Sequence, residues 1–439
     1  MKRAWLLLFV AANVVAIGAF WWWNASQGVS PEGEQALMAY GRLAGLCAAF
    51  SALLQLVFIC RASWAEQAFG LDHLTRLHKC NGFLLVFLVI AHGSMITLQY
   101  AGSRDEGIFE TVRGLAMDQE GVFAAMLAAG LLITSALFSV AVIRRKLAYE
   151  TWYFIHVTAY VAIALAMGHQ VESGGDFTAN TAFAWYWYAL YAFVAANLLG
   201  YRLGRPGWWF VRHRFEVEKV VRETPEVTSV YIAGRGMERF RIAAGQFMIV
   251  RFLARGMWWQ AHPFSLSCGP NDTHVRISVR SLGDFTARVK DIVPGTRVVI
   301  DGPNGVFTAR RLRREKVLLV AGGIGITPLR ALAEELCERK IETVLLYASR
   351  KGSAIVFKDE LDTLASHGTM RIHHVISDDP SWDGEQGFID AARITRLVPD
   401  VVTREAFVCG PPPMMRSLVR TLRALGIPRK AVHYEYFAF

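Results

Sequence analysis

Long apolar runs dominate the first half of the chain, and a shorter alternation of apolar and polar residues follows. The runs lie at approximately 4–23, 36–60, 77–99, 121–143, 150–169 and 181–201. A helix needs roughly 20 apolar residues to cross a bilayer core, so six membrane-spanning helices are predicted. Lys2 and Arg3 before the first run would also suit a signal peptide. Its length, and Trp21, Trp22 and Trp23 placed like an interfacial aromatic belt, favour a retained helix. From about residue 206 the rhythm changes. FEVEKVVRETPEVTSVYIAG alternates like two strands around a turn, and short β-like runs continue to about 308, which predicts a small antiparallel barrel. KVLLVAGGIGITPLRALAEELCERK then reads as buried strand, glycine-rich turn and helix, and TVLLYASR and EAFVCGPPPMM add further strand-plus-turn units. Strands alternating with helices predict a parallel sheet with crossover helices. There is no internal repeat and no low-complexity tract.

Composition sharpens this picture. The 439 residues are 53% hydrophobic, too apolar for a purely soluble protein. The net charge of +10 does not point to nucleic acid, because the basic residues cluster at helix ends and around candidate anion sites. Arg61, Arg76 and Lys79 follow the second run, Arg144, Arg145 and Lys146 the fourth, and Arg202, Arg205, Arg212 and Arg214 the sixth. These belong on the cytoplasmic side, while the acidic loop at 100–120 (Asp105, Glu106, Glu110, Asp118, Glu120) belongs outside. Both termini are then cytoplasmic. Cys47, Cys60, Cys80, Cys268, Cys337 and Cys409 are scattered without a CxxC, so neither a disulfide framework nor a zinc site is indicated.

Ionisable residues inside the spans carry the chemistry, since they are costly there unless they work. His78 and His92 lie 14 apart on the third run, and His156 and His169 lie 13 apart on the fifth. At about 1.5 Å per residue each pair is separated by roughly 20 Å along its helix. Two such helices suit two stacked haems, each between two neutral imidazoles, the inner one on His78 and His156 and the outer one on His92 and His169. Four unrelated polar residues bonding neighbouring helices is the bland alternative. Fourteen residues return a side chain to within about 40° of its start, whereas 13 leave it about 140° short of four turns. The fifth span is therefore expected to be distorted, or its two rings to approach from different sides. His73 precedes the third run in a polar segment and is expected at the surface.

The later segments suggest nucleotide binding. AHPFSLS (261–267) after AGQFMIV (244–250) can present a serine hydroxyl and backbone amides to a flat ring, or be a plain β turn. RSLGDFT (280–286) adds Arg280, Gly283 and Thr286, fit for a pyrophosphate or for a capped tight turn. In VAGGIGITPLRAL (320–332), Gly322, Gly323 and Gly325 let the backbone approach a phosphate at a helix start marked by Thr327 and Pro328, although the spacing is not G-x-G-x-x-G. Arg350 and Lys351 follow the next strand where an adenosine ribose would lie, which favours NADPH over NADH; a solvated strand end is the other reading. In CGPPPMM (409–415), Gly410 permits close approach to a ligand, with Pro411 beside it. The chain finishes HYEYFAF, where a terminal aromatic would cover a flavin or complete the core.

Together these residues resemble the ferric reductase and NADPH oxidase superfamily, specifically bacterial NADPH oxidase homologues, over nearly the whole chain. The resemblance implies three domains: residues 1–205, a six-span ferric-reductase-like haem domain; 206–312, an antiparallel β-barrel FAD domain; and 313–439, an α/β parallel-sheet NAD(P) domain of ferredoxin–NADP reductase type. It makes His78, His92, His156 and His169 the ligands of two b-type haems. It places Ser265 near the isoalloxazine, with His262, Pro263 and Phe264 around it, and RSLGDFT at the flavin pyrophosphate. It assigns DGPNG (301–305), GGIGITP (322–328) and CGPPPMM to the nicotinamide nucleotide. Cys409 and the aromatic of EYF (435–437) are then expected at the hydride-transfer contact. Two extra residues leave Phe437 or Phe439 for the role of covering the flavin. No EF-hand loop and no iron–sulfur cysteine spacing is present. The expected activity is transfer of electrons from cytoplasmic NAD(P)H through FAD and the haems to an acceptor outside a bacterial inner membrane. O2, giving superoxide, is the leading acceptor; a ferric chelate, a quinone or a periplasmic protein are alternatives. Lipid and a small acceptor are the implied partners, with no obligatory protein partner.

Overall fold

A computed structural model describes residues 2–26, 34–144, 146–147, 149–173, 177 and 180–435, and the chain divides into two compact units, 1–201 and 202–439. In the first unit the long helices are Lys2–Ser26, Glu34–Ile59, Leu71–Arg104, Val122–Ser139, Tyr149–Ser173 and Thr181–Leu199. Among the described residues six helices are long and apolar enough to cross a membrane, and they fit a multi-pass membrane protein. Their outward faces carry exposed Leu7, Phe87, Ile90 and Phe154, as a lipid-facing surface requires. The second helix packs along the third, and the fourth along the fifth. Ala48, Ala52, Ala128 and Ala162 are buried where these four meet, and such small residues let helix backbones approach closely. Polar side chains bridge the same helices: Asn81 Nδ2 donates to the Ser51 carbonyl at 2.8 Å, and Ser51 Oγ donates to Asn81 Oδ1 at 2.9 Å.

Two elements differ from the sequence reading. The third helix starts at Leu71, so His73 is helical and half-buried, its ring stacked on Phe69 at 5.6 Å. A surface position is therefore corrected to a packed one; the polar neighbours hid an apolar partner just before the helix. The acidic 100–120 loop contains a helix, Ile108–Asp118, whose Thr111 and Leu115 are buried under its charged face.

The described residues of the second unit form twelve strands: β1 Glu216–Thr224, β2 Val227–Ala233, β3 Phe247–Phe252, β4 His262–Ser265, β5 His274–Arg280, β6 Val298–Asn304, β7 Lys316–Gly322, β8 Glu342–Ser349, β9 Met370–Ile376, β10 Glu385–Gln386, β11 Glu405–Cys409 and β12 Val432–Tyr434. The first six form two antiparallel sheets, β1-β2-β5 and β4-β3-β6. Single bridges, Glu216 to Arg297 and Leu266 to Ile277, join their edges into a barrel around Phe215, Ile232, Met248, Phe252 and Ile277. The other six form a parallel sheet, order β10-β9-β8-β7-β11-β12, flanked by helices Ile326–Glu338, Lys358–Ser366, Ala391–Leu397 and Pro412–Ala424. β7 and β8 are almost wholly buried, which is why they read as continuous apolar runs.

Barrel and sheet are clamped by charge. Arg276 of β5, 3% exposed, holds Glu360 through both guanidinium ends at 2.7 and 2.9 Å, and Arg330 reaches the same carboxylate at 2.7 Å. Burial alone would raise the Glu360 carboxyl, but Arg276 and Arg330 hold it below its usual range.

Candidate functional site: paired histidines and a nucleotide crevice

In the membrane unit the third and fifth helices bring the histidines together in pairs. The ring centroids of His78 and His156 are 5.9 Å apart, and those of His92 and His169 are 6.4 Å apart. The fifth helix is unbroken over Tyr149–Ser173, and its two rings meet their partners at different interplanar angles, 72° and 58°. His78 Nδ1 lies 3.2 Å from the Gln55 carbonyl, and His92 Nδ1 lies 2.8 Å from the Gly41 carbonyl. A carbonyl only accepts, so both Nδ1 atoms carry the proton and leave Nε2 as a free donor of electrons. Glycine is needed beside His92: a Cβ on Gly45 would come within 2.8 Å of its ring. His169 Nδ1 is buried without a hydrogen-bond partner among the described residues.

These residues fit haem. Metal–imidazole bonds of about 2.0–2.1 Å, plus roughly 1 Å from each nitrogen to its ring centre, give about 6 Å between centroids. Among the described residues no group of three or more His, Cys, Asp or Glu could hold a metal ion. Two imidazoles without further protein ligands suit a metal whose remaining positions come from a macrocycle.

In the reductase unit, β4 carries His262, Pro263, Phe264 and Ser265, which pair with Val250, Ile249, Met248 and Phe247 of β3. All four are half-buried. Alternation puts His262 and Phe264 on one face and Pro263 and Ser265 on the other. Phe285, which the sequence reading passed over, joins them: its ring centroid is 4.0 Å from that of His262 and 6.4 Å from that of Phe264. RSLGDFT therefore sits against HPFS. Thr286 Oγ1 accepts from the amides of Leu282 and Gly283 at 2.9 and 3.0 Å and closes the turn. Arg280 ends β5 in an ion pair with Glu226 at 2.7 Å.

The glycine turns meet at the carboxyl edge of the parallel sheet. β7 and β11 are neighbours, with Cys409 beside Ala321, and the strand order reverses between them. Such a switch point opens a crevice for ligands. The 3-10 turn Gly323–Gly325 leads into the helix from Ile326, where Thr327 donates to the Ile324 carbonyl at 3.0 Å and Pro328 is buried. A Cβ on Gly325 would stand 2.5 Å from the Cys409 carbonyl oxygen, and one on Gly322 would meet the Met414 side chain and the Pro411 ring. A Cβ on Gly410 would stand 3.2 Å from the Gly322 backbone, so the two turns lie in close contact. Arg350 and Lys351 are exposed after β8. The Asp379 carboxylate accepts the Gly352 amide at 3.0 Å, and hydrogen bonds from Ser381 and Gly352, with Lys351 nearby, hold it below the usual carboxylate range.

Cys409 is buried at the end of β11, and burial, reinforced by the charge of Glu435, pushes its thiol well above the usual value. It is a neutral thiol. Glu435 itself is buried, and although EYF was singled out, its acid was not assigned a place near Cys409. Phe437 and Phe439 lie outside the described residues.

A unit of helices long and apolar enough to cross a membrane is thus followed by an antiparallel barrel and a parallel sheet of dinucleotide-binding type. Three family models match in order: ferric reductase like transmembrane component at 44–167, FAD-binding domain at 214–308, and oxidoreductase NAD-binding domain at 319–420. The chain belongs to the ferric reductase and NADPH oxidase superfamily, which these three together define. It is 28% identical to a flavohemoprotein of Burkholderia sp. (strain TH2), over 53% of this chain and 60% of that protein. It is 32% identical to the ferredoxin reductase component of 3-ketosteroid-9-alpha-monooxygenase from Mycolicibacterium smegmatis, over 51% of this chain and 64% of that protein. Among solved structures, the FAD/NAD-binding domain of nitric oxide dioxygenase from Vibrio cholerae covers 51% of this chain and 98% of its own, at 24% identity and a TM-score of 0.47. The chain thus spans under two thirds of the length of both relatives.

Proposed function

We propose that this protein moves electrons from cytoplasmic NAD(P)H across a bacterial inner membrane to O2, releasing superoxide outside, with domains at 1–205, 206–312 and 313–439. The observation that carries the reading is the facing of His78 with His156 and of His92 with His169 at about one-metal separation. Bound there, haem would supply single-electron carriers, and FAD would supply the conversion of a hydride into single electrons. The protein's residues position and insulate. His78 and His156 hold the cytoplasmic site and His92 and His169 the outer one. Held by two imidazoles, a haem at either site would keep no open position for the acceptor.

In the reductase unit His262, Pro263, Phe264 and Ser265, with Arg280, Gly283 and Thr286, form the flavin side. The turns at Gly322, Gly323 and Gly325 and at Gly410 and Pro411 admit the dinucleotide pyrophosphate to the amides before Ile326, Thr327 and Pro328, where the helix end favours an anion. Arg350 would meet the 2′-phosphate of NADPH, while Lys351 is partly offset by Asp379. The neutral Cys409 thiol would pack beside the hydride path without reacting, and Phe437 or Phe439 would have the role of covering a bound flavin.

The test is detergent-purified protein with FAD and NADPH under air, with cytochrome c reduction followed with and without superoxide dismutase. A Soret band with dismutase-sensitive reduction is expected. A Soret band with dismutase-insensitive reduction would shift the acceptor to ferric iron, a quinone or a protein. No Soret band would remove the haem assignment.

A further inference from the structure

The four intramembrane histidines are not held alike. Backbone carbonyls anchor His78 and His92, but two side-chain hydroxyls face His156. Its Nδ1 lies 3.1 Å from Ser135 Oγ and 3.2 Å from Ser139 Oγ. A serine hydroxyl has one proton. Ser139 donates it to the Ser135 carbonyl at 2.7 Å, a bond back along its own helix. The same oxygen accepts the indole N–H of Trp152 at 3.2 Å. Toward His156 it therefore presents a lone pair, which suits a proton on Nδ1. Nε2 is then bare and metal-competent. Trp152 also fixes the ring plane, stacking on His156 at 5.1 Å with 18° between planes. The Arg144 guanidinium stands 4.5 Å from the indole centre, a cation–π distance that holds the indole in turn.

We propose that Ser139, together with Ser135 and Trp152, is a positioning device that sets the tautomer and ring plane of His156 and so presents its Nε2 to a haem shared with His78. Among the described residues His169 has no counterpart, since its buried Nδ1 finds no partner. The two haem sites are therefore inequivalent, and only the His78–His156 site depends on removable side-chain acceptors. The inference rests on the haem reading above, and the experiment separates the two.

Full-length wild-type protein is purified and its haem content and low-temperature EPR spectrum are recorded. Two low-spin haems are required at this stage; their absence sinks the haem reading itself. The same spectra and a redox titration are then taken for Ser139→Ala, Ser139→Thr and Trp152→Phe. Outer groups that orient a metal's histidine typically matter 10- to 100-fold in affinity. In Ser139→Ala, retention of one haem should fall by roughly that factor, or its EPR signal and midpoint should move, while the other haem is unchanged. Ser139→Thr, which keeps the hydroxyl, should restore the wild-type signal. Trp152→Phe keeps a stacked ring but loses the N–H, and should move the same haem by less; it decides the matter if Ser139→Ala does not accumulate. Two unaltered haems, or both altered alike, would overturn the proposal.

Discussion

In the membrane unit the candidate site consists of four side chains on two helices, whereas in the reductase unit it consists largely of backbone at strand ends. Deleting atoms from His78, His92, His156 or His169 removes the site. Adding one carbon at Gly325 disturbs the other, because its Cβ falls on the backbone of the neighbouring turn at Cys409 and Gly410. A bilayer leaves no water to satisfy an idle imidazole, so an intramembrane histidine marks a candidate site. A phosphate crevice asks for open amides instead, and side chains obstruct it.

His92→Ala should sharpen this contrast most. Electron delivery outside should fall to background while NAD(P)H still bleaches the flavin anaerobically; undiminished delivery would sink the outer-site assignment. Gly325→Ala should do the reverse. Its Cβ meets the Cys409 carbonyl at 2.5 Å, so the turn must shift. Flavin reduction by NAD(P)H should slow on the order of 100-fold, as about 1 Å of misplacement can cost, with the haem spectrum intact. Arg350→Ala should raise the Michaelis constant for NADPH about tenfold, the worth of one exposed charge-assisted contact, and leave NADH unchanged. Equal effects on both would remove the NADPH preference.

The smallest effect concerns stability. Glu360→Gln strands the buried Arg276. Loss of one partner of a buried pair costs about 3 kcal/mol, taken at the low end because Glu360 is 34% exposed. The Glu360 carboxyl is depressed in the folded state, so its contribution is fully present above its ordinary value of 4.5 and is lost as pH falls through the lower folded value. Flavin release on heating should therefore come earlier in Glu360→Gln than in wild type at pH 7, and the gap should narrow below pH 4.5. A constant gap across that range would assign the effect to packing.

Much of this was legible from the chain alone. Apolar runs gave the helices, and alternation against continuous apolar strands separated barrel from parallel sheet. Spacing singled out the histidines because few polar residues compete inside a span. What anchors them was not legible. The carbonyls of Gln55 and Gly41 and the hydroxyls of Ser135 and Ser139 become partners only when helices pack, and nothing in the local pattern marks them. Phe285 was hidden in a segment read for its arginine and glycine. The Ile108–Asp118 helix was masked because acidic residues cover its buried side. His73 was misplaced by its polar neighbours, since Phe69 lies before the helix begins.

The central claim is that two metals sit between paired imidazoles. Haem quantification with EPR on the purified protein tests it most directly. Two b-type haems per chain are predicted, both low-spin and six-coordinate, falling to one in His92→Ala. A single haem, a high-spin five-coordinate signal, or no haem at all would contradict it.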